Sequence, residues 1–186
     1  ATDLGIATED ILSSHLEVFD GQPAAIWGLK ENLLSSGRID NLAMCHAALN
    51  SLIKEQTATD ATRLMVLFDN EEVGSSTPRG GGSSLLETTI ERLILAAGGD
   101  RQDYFSALAR SVMLSADGAH AWHPNYPEYY EPRHSPKLNR GPVIKINAQE
   151  RYASPPELVA AVDALCDKEQ IPVQKYIHRT NLSSGS

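Results

Sequence analysis

Residues 64–76 carry the strongest signal for the fold class, and they read LMVLFDNEEVGSS. The first five residues, Leu64 to Phe68, form a continuous apolar run, which is typical of a strand buried on both faces of a parallel sheet. The run stops abruptly at the polar residues 69–72. A shorter apolar run, Val112 to Leu114, likewise ends just before a carboxylate, Asp117. The pattern therefore predicts two buried strands that each lead into acidic side chains.

Helical and extended patterns alternate along the rest of the chain. Apolar residues at helical spacing predict four helices, at residues 40–54, about 84–97, around 104–110 and from 154 through 166. Further strands are predicted at residues 15–19, 142–147 and 173–178, and a long ordered loop at residues 122–142. This alternation predicts an α/β fold with a mostly parallel sheet flanked by helices.

Composition restricts the class of protein. The chain has 186 residues, 41% of them hydrophobic, which is enough for one domain with an ordinary core. Its net charge is −8 and its 16 basic residues are scattered, so we expect no nucleic-acid partner and no membrane partner. The sequence contains no apolar run long enough to cross a bilayer and begins without a signal peptide, which favours a cytoplasmic protein.

Acidic residues are placed where α/β proteins bind their ligands. Asp69, Glu71 and Glu72 follow one predicted strand, Asp117 follows another, and Asp40 begins a predicted helix. Ligands of open α/β sheets bind beyond the carboxyl ends of the strands, and a divalent metal such as zinc is the simplest way to neutralise clustered carboxylates. A solvated acidic loop, with Asp40 acting only as a helix cap, explains the same pattern.

Two other features point less directly to a site. Gly80 to Gly82 precede a helix, but the phosphate-binding GK[ST] signature is missing, so a flexible loop is the better interpretation. The histidines at positions 120, 123 and 134 match no compact zinc spacing, and each is interpreted more simply as a hydrogen-bonding residue of the loop.

The segment LFDNEEVGS at residues 67–75 closely resembles the D-[HN]-E-E-V-G-S motif of the M18 metalloaminopeptidases. Other stretches agree with the family in the same order, namely residues 38–42, 115–121, 123–126 and 141–147, followed by 151–153. The resemblance spans roughly residues 20–180. It implies a zinc-exopeptidase-like catalytic domain and removal of amino-terminal residues, preferably acidic ones, from peptides.

The resemblance also implies roles for individual residues. Asp40 would bridge two zinc ions, Glu72 would bind one of them and Asp117 the other. Glu71 would be the general base that activates the attacking water. We expect these four carboxylates to form the catalytic and metal-binding group.

His120 and Lys145 would contact the substrate. A lysine ammonium pairs well with the carboxylate of an acidic peptide residue, although Lys145 could equally be a strand residue that faces solvent.

The family's two histidine ligands have no counterpart in these 186 residues. The resemblance therefore implies a fragment, in which residues 1–25 are the tail of an inserted dimerisation domain and residues 26–186 the central part of the catalytic domain. The complete protein would bind two zinc ions per active site, cleave peptide substrates and form a homo-oligomer. Two alternatives remain, a non-catalytic assembly or binding module with a peptidase-like fold and a peptidase resembling the M42 or M20 families.

Overall fold

The computed structural model describes residues 2–71, 73–149, 152–179 and 181. Within this part of the chain lie four α-helices, α1 (Ile39–Lys54), α2 (Leu85–Ala96), α3 (Arg101–Arg110) and α4 (Pro156–Lys168). Four short strands are formed as well, β1 (Ala25–Trp27), β2 (Leu33–Ser35), β3 (Val143–Ile146) and β4 (Gln174–Ile177). None of the helices in the described ranges is both long and apolar enough to cross a membrane.

The chain divides into two compact units, Ala1–Ala43 and Met44–Ser186. In the first unit β1 and β2 pair antiparallel, with Ile26 opposite Leu34. The turn between them passes through Gly28, whose φ of 90° suits glycine because this residue has no Cβ to clash. This hairpin was not predicted from the sequence.

In the second unit β3 and β4 pair parallel, with Val143 opposite Gln174 and Ile146 opposite Ile177. Helix α4 connects them, as parallel strands require a long crossover. It begins with Pro155 at the N-cap and Pro156 at the first helical position, where the missing N–H is not needed. Cys166 of α4 and Tyr176 of β4 are both buried, so the core of this unit lies at the β3-α4-β4 motif.

Helices α2 and α3 pack against each other. Gly98 follows the end of α2 and has a φ of 90°. Many helices end in such a left-handed residue, which is usually glycine because it has no Cβ. Helix α3 then begins with a capping box, in which the Asp100 carboxylate accepts from the backbone of Asp103 and the Asp103 carboxylate accepts from the backbone of Asp100.

The α/β fold class and all four predicted helices are confirmed, as are the predicted strands at residues 142–147 and 173–178. The long loop at residues 122–142 is confirmed too, with one short 3₁₀ turn at Pro127–Tyr129. The strands predicted at residues 15–19, 64–68 and 112–114 are wrong, since none of these segments is a strand in the structure. Residues 15–19 and 112–114 are exposed, with Leu114 at 75%, whereas residues 64–68 are partly exposed, with Leu64 at 50%, so an apolar sequence alone did not produce strand pairing.

Candidate active site

Lys145 of β3 and Asp117 form the best-defined contact between predicted site residues. The Lys145 Nζ donates to Asp117 Oδ2 at 2.6 Å and to the Gly118 carbonyl at 2.7 Å. The Lys145 side chain is only 19% exposed, whereas that of Asp117 is 40% exposed. The structure therefore places a largely buried ammonium against a carboxylate and a backbone carbonyl, and the interpretation of Lys145 as a solvent-facing lysine is wrong.

Tyr152 lies near the Lys145 ammonium and His178 packs on Tyr152, two contacts that sequence analysis missed. The Lys145 Nζ lies 5.6 Å from the centre of the Tyr152 ring, within the range of a cation–π contact. The ring of His178 meets Tyr152 edge-on, with centroids 6.1 Å apart. The available signal was that Lys145 and His178 lie in the predicted strands at residues 142–147 and 173–178, because ligands of α/β proteins bind at the carboxyl ends of such strands.

Tyr176 and His178 form a buried hydrogen bond with each other. The Tyr176 hydroxyl lies 2.9 Å from Nδ1 of His178, and the two residues are only 6% and 8% exposed. Burial raises the pKa of the Tyr176 hydroxyl, and the nearby Tyr152 and Tyr130 hydroxyls raise it further. Tyr176 therefore stays protonated at neutral pH.

The acidic segment after residue 68 forms turns. Asp69 pairs with Arg79 at 3.0 Å, a contact in which both side chains are largely exposed. Glu71 is half-buried. Glu72, the predicted zinc ligand beside it, lies outside the described residues. A hydrogen bond of 2.7 Å from the Gly82 backbone to the Ser75 carbonyl closes the glycine-rich loop on itself.

Asp40 lies in the first unit, at the start of α1. Helix α1 is bounded at Ile39, but Asp40, with φ −87° and ψ 111°, and Asn41 have non-helical dihedral angles at its start. The prediction that a helix begins at Asp40 is thus confirmed to within one residue. Its proposed role in bridging metal ions stays a prediction.

The loop histidines take part in local contacts. His120 is exposed. His123 accepts from the backbone of Asn125 at 3.2 Å, and His134 Nδ1 lies 2.6 Å from the Glu131 carboxylate. The hydrogen bond from His134 is the main reason that the pKa of the Glu131 carboxyl lies below its usual value. For His123 and His134 this agrees with the prediction of loop hydrogen-bonding residues.

The metal prediction can be compared with the donors that the structure brings together. Carboxylates are suitable zinc ligands by type. Within the described residues, however, no three side chains of His, Cys, Asp or Glu form a group that could hold a metal ion. Glu72, one of the predicted ligands, lies outside the described residues, and Asp117 Oδ2 accepts from Lys145 Nζ.

Comparison with known proteins shows the family. Residues 1–186 match the family described as "Aminopeptidase I zinc metalloprotease (M18)". The "Probable M18 family aminopeptidase 2" of Clostridium novyi is 40% identical over 186 residues, which are 100% of this chain and 43% of that protein.

Solved structures agree with this match. The chain resembles one in a cryo-EM structure of the Ape4 and Nbr1 complex, with a TM-score of 0.79 and 33% identity over 90% of this chain and 33% of that one. It also resembles the S. cerevisiae mApe1 dodecamer, with a TM-score of 0.72 and 30% identity over 86% of this chain and 38% of that one. The chain thus spans less than half the length of the relatives that it matches. With its whole sequence matched, the chain belongs to the M18 family of aminopeptidases.

Proposed function

We propose that this chain is the central part of a dinuclear zinc aminopeptidase that removes acidic residues from the amino termini of peptides. The observation that carries the proposal is the match of all 186 residues to a family of zinc metalloproteases. The relatives at about 40% identity are named as aminopeptidases, which supports the same reaction.

The proposed zinc ligands in this chain are Asp40, Glu72 and Asp117, with Asp40 shared by the two ions. Zinc, when bound, polarises the peptide carbonyl and lowers the pKa of water. The resemblance to the family implies two histidine ligands as well, and these have no counterpart in the 186 residues. We therefore expect the 186-residue chain alone to bind zinc poorly and to be inactive.

Glu71 is the proposed general base. Its carboxylate would accept a proton from the attacking water and then deliver that proton to the amino group that leaves. Its position beside Glu72 supports this role, since successive residues can direct one carboxylate to a metal and the other to the water.

The proposed preference for acidic residues depends on Lys145, with His120 as a second substrate contact. In the structure the Lys145 ammonium already binds a carboxylate, that of Asp117. A carboxylate at the amino-terminal residue of a peptide has the same chemistry and would gain a charge-assisted hydrogen bond.

We propose a homo-oligomeric, cytoplasmic enzyme. Residues 1–25 would belong to an inserted dimerisation domain and residues 26–186 to the catalytic domain. The related mApe1 is described as a dodecamer, which supports an oligomer here.

The test is an assay of the complete protein that contains this chain. Aspartyl, glutamyl and leucyl anilides would be compared as substrates, with and without added zinc, and the 186-residue chain would be assayed in parallel. We expect zinc-dependent hydrolysis by the complete protein with the highest kcat/KM for the acidic substrates. A complete protein that is inactive but binds peptides in the absence of zinc would favour the non-catalytic binding module. Equal rates on all three substrates would refute the acidic preference.

A further inference from the structure

Tyr176 of β4 and His178, the residue that follows the strand, are alternate residues and are called here the buried pair. Alternate residues of a strand point to the same face of the sheet, which lets the Tyr176 hydroxyl reach Nδ1 of His178 at 2.9 Å. Both side chains are more than nine-tenths buried. Because the hydroxyl keeps its proton at neutral pH, the contact persists as a hydrogen bond that limits rotation of the His178 ring.

The buried pair packs against Tyr152. The His178 and Tyr152 rings meet at 83°, the edge-to-face arrangement that aromatic pairs prefer. The backbone around Tyr152 is tied to β3, because Ser154 N donates to the Tyr152 carbonyl at 2.9 Å and Ser154 Oγ donates to the Lys145 carbonyl at 2.7 Å. Tyr152 is therefore held on one side by the backbone and on the other by the His178 ring.

Tyr152 in turn faces the ammonium of Lys145, 5.6 Å from its ring centre. Lys145 is also the register partner of Tyr176 in the parallel sheet. The contacts thus form a continuous path from Tyr176 through His178 and Tyr152 to Lys145. No part of this path passes through the proposed zinc ligands or the proposed general base.

We propose that the buried pair is a positioning element, which orients the Tyr152 ring and through it holds the Lys145 ammonium where a substrate carboxylate would bind. The inference rests on the proposed function for the role of Lys145 in recognising that carboxylate. The positioning of Lys145 itself rests only on the contacts above.

A purely structural role of the same residues has different consequences. Core residues that only support the fold would, when changed, lower activity on every substrate together and lower the melting temperature in proportion. A positioning element acts through Lys145, so its loss raises KM for acidic substrates by a larger factor than it changes kcat or the KM for neutral substrates.

The experiment uses the complete protein and the substitutions Tyr176→Phe and His178→Leu. Tyr176→Phe removes one hydroxyl and keeps the buried ring. Tyr104→Phe is the matched control, because Tyr104 is an equally buried tyrosine in α3 that takes no part in these contacts. Tyr152→Leu, at a half-buried position, removes the cation–π contact directly, so we expect it to give the largest rise in KM for glutamyl anilide. For glutamyl anilide we expect about a threefold to tenfold rise in KM in the two pair variants. For leucyl anilide, and in Tyr104→Phe, we expect changes of less than about twofold.

A second readout does not depend on catalysis. Brief labelling with acetic anhydride, read by mass spectrometry, reports how freely the Lys145 amine reacts. We expect the Lys145 labelling rate relative to Lys168, an exposed lysine of α4, to rise about threefold in Tyr176→Phe and His178→Leu and not in Tyr104→Phe.

The two readouts separate the inference from the proposed function. Faster labelling with a selective rise in KM supports both. Faster labelling without any change in substrate selectivity supports the positioning of Lys145 and refutes its proposed role in acidic recognition. Unchanged labelling in both pair variants overturns the inference, whatever the kinetics show.

Discussion

The Lys145 ammonium and the Asp117 carboxylate lie 2.6 Å apart although 28 positions separate them in the sequence. This contact joins β3 to the segment that follows α3, and it brings together a residue proposed to bind substrate and a residue proposed to bind metal. Asp117 has two carboxylate oxygens, so it can accept from Lys145 through one and serve as a ligand through the other. The substrate site and the metal site are therefore proposed to share Asp117.

Replacing Lys145 tests the acidic preference. Lys145→Met keeps the length of the side chain and removes its charge, so an acidic substrate loses a charge-assisted hydrogen bond. We expect kcat/KM for glutamyl anilide to fall about tenfold to hundredfold and that for leucyl anilide to change little. Steady-state kinetics on the complete protein, with Lys168→Met as the surface control, measure the effect. A parallel fall for both substrates would show that Lys145 supports the site without selecting the substrate.

Glu71→Gln tests the proposed base. The amide has nearly the same shape but cannot accept the proton, so we expect kcat to fall about 10²-fold to 10⁴-fold. Metal content and KM should stay close to those of the unchanged protein. Glu87→Gln, at an exposed position of α2, is the control and should retain full activity. Loss of zinc from the Glu71→Gln protein would instead identify Glu71 as a metal ligand.

The capping box of α3 predicts a local loss of stability. Asp100→Ala leaves the backbone N–H groups of Gln102 and Asp103 without their carboxylate partner, which costs about 1 kcal/mol. We expect hydrogen exchange in the first turn of α3 to become about fivefold faster. Asp167→Ala near the end of α4 removes a carboxylate with no capping role there, and exchange in α3 should not change. Equal exchange in the Asp100→Ala and unchanged proteins would mean that the cap contributes nothing.

Tyr176 predicts a stability change at alkaline pH. Its folded-state pKa is raised above the ordinary value of 10.0, chiefly by burial, so the unfolded chain loses this proton first as the pH increases. The contribution of Tyr176 to stability is thus fully present below pH 10.0 and is lost as the pH rises through the folded-state pKa. In melting curves, the stability difference between the unchanged protein and Tyr176→Phe should shrink as the pH rises above 10.0. A constant difference from pH 8 to pH 11 would contradict the raised pKa.

The helices could be predicted from the sequence because their signals are local. Apolar spacing, Pro156 at the first turn of α4 and Gly98 after α2 each act within a few residues of the helix that they define. The strand predictions depended on partners far along the chain. The strand predicted at residues 142–147 pairs with β4, whereas the equally apolar residues 64–68 pair with no strand among the described residues.

For the site, the sequence predicted individual residues but not the contacts between them. The motif resemblance named Lys145 and Asp117, but their contact depends on the path of the loop between them. Tyr152, Tyr176 and His178 were not singled out, because a tyrosine or histidine in or beside a strand has no pattern of its own that separates a site residue from a core residue. Their role follows only from three-dimensional contacts.

The central claim is that the carboxylates of this chain contribute to a dinuclear zinc centre. Elemental analysis of the complete protein after dialysis against a weak chelator tests it most directly, with Asp40→Asn and Asp117→Asn beside the unchanged protein and Asp69→Asn as the control. We expect about two zinc ions per chain in the unchanged and control proteins, and fewer in the other two variants. A complete protein without zinc, or full zinc content in both Asp40→Asn and Asp117→Asn, would contradict it.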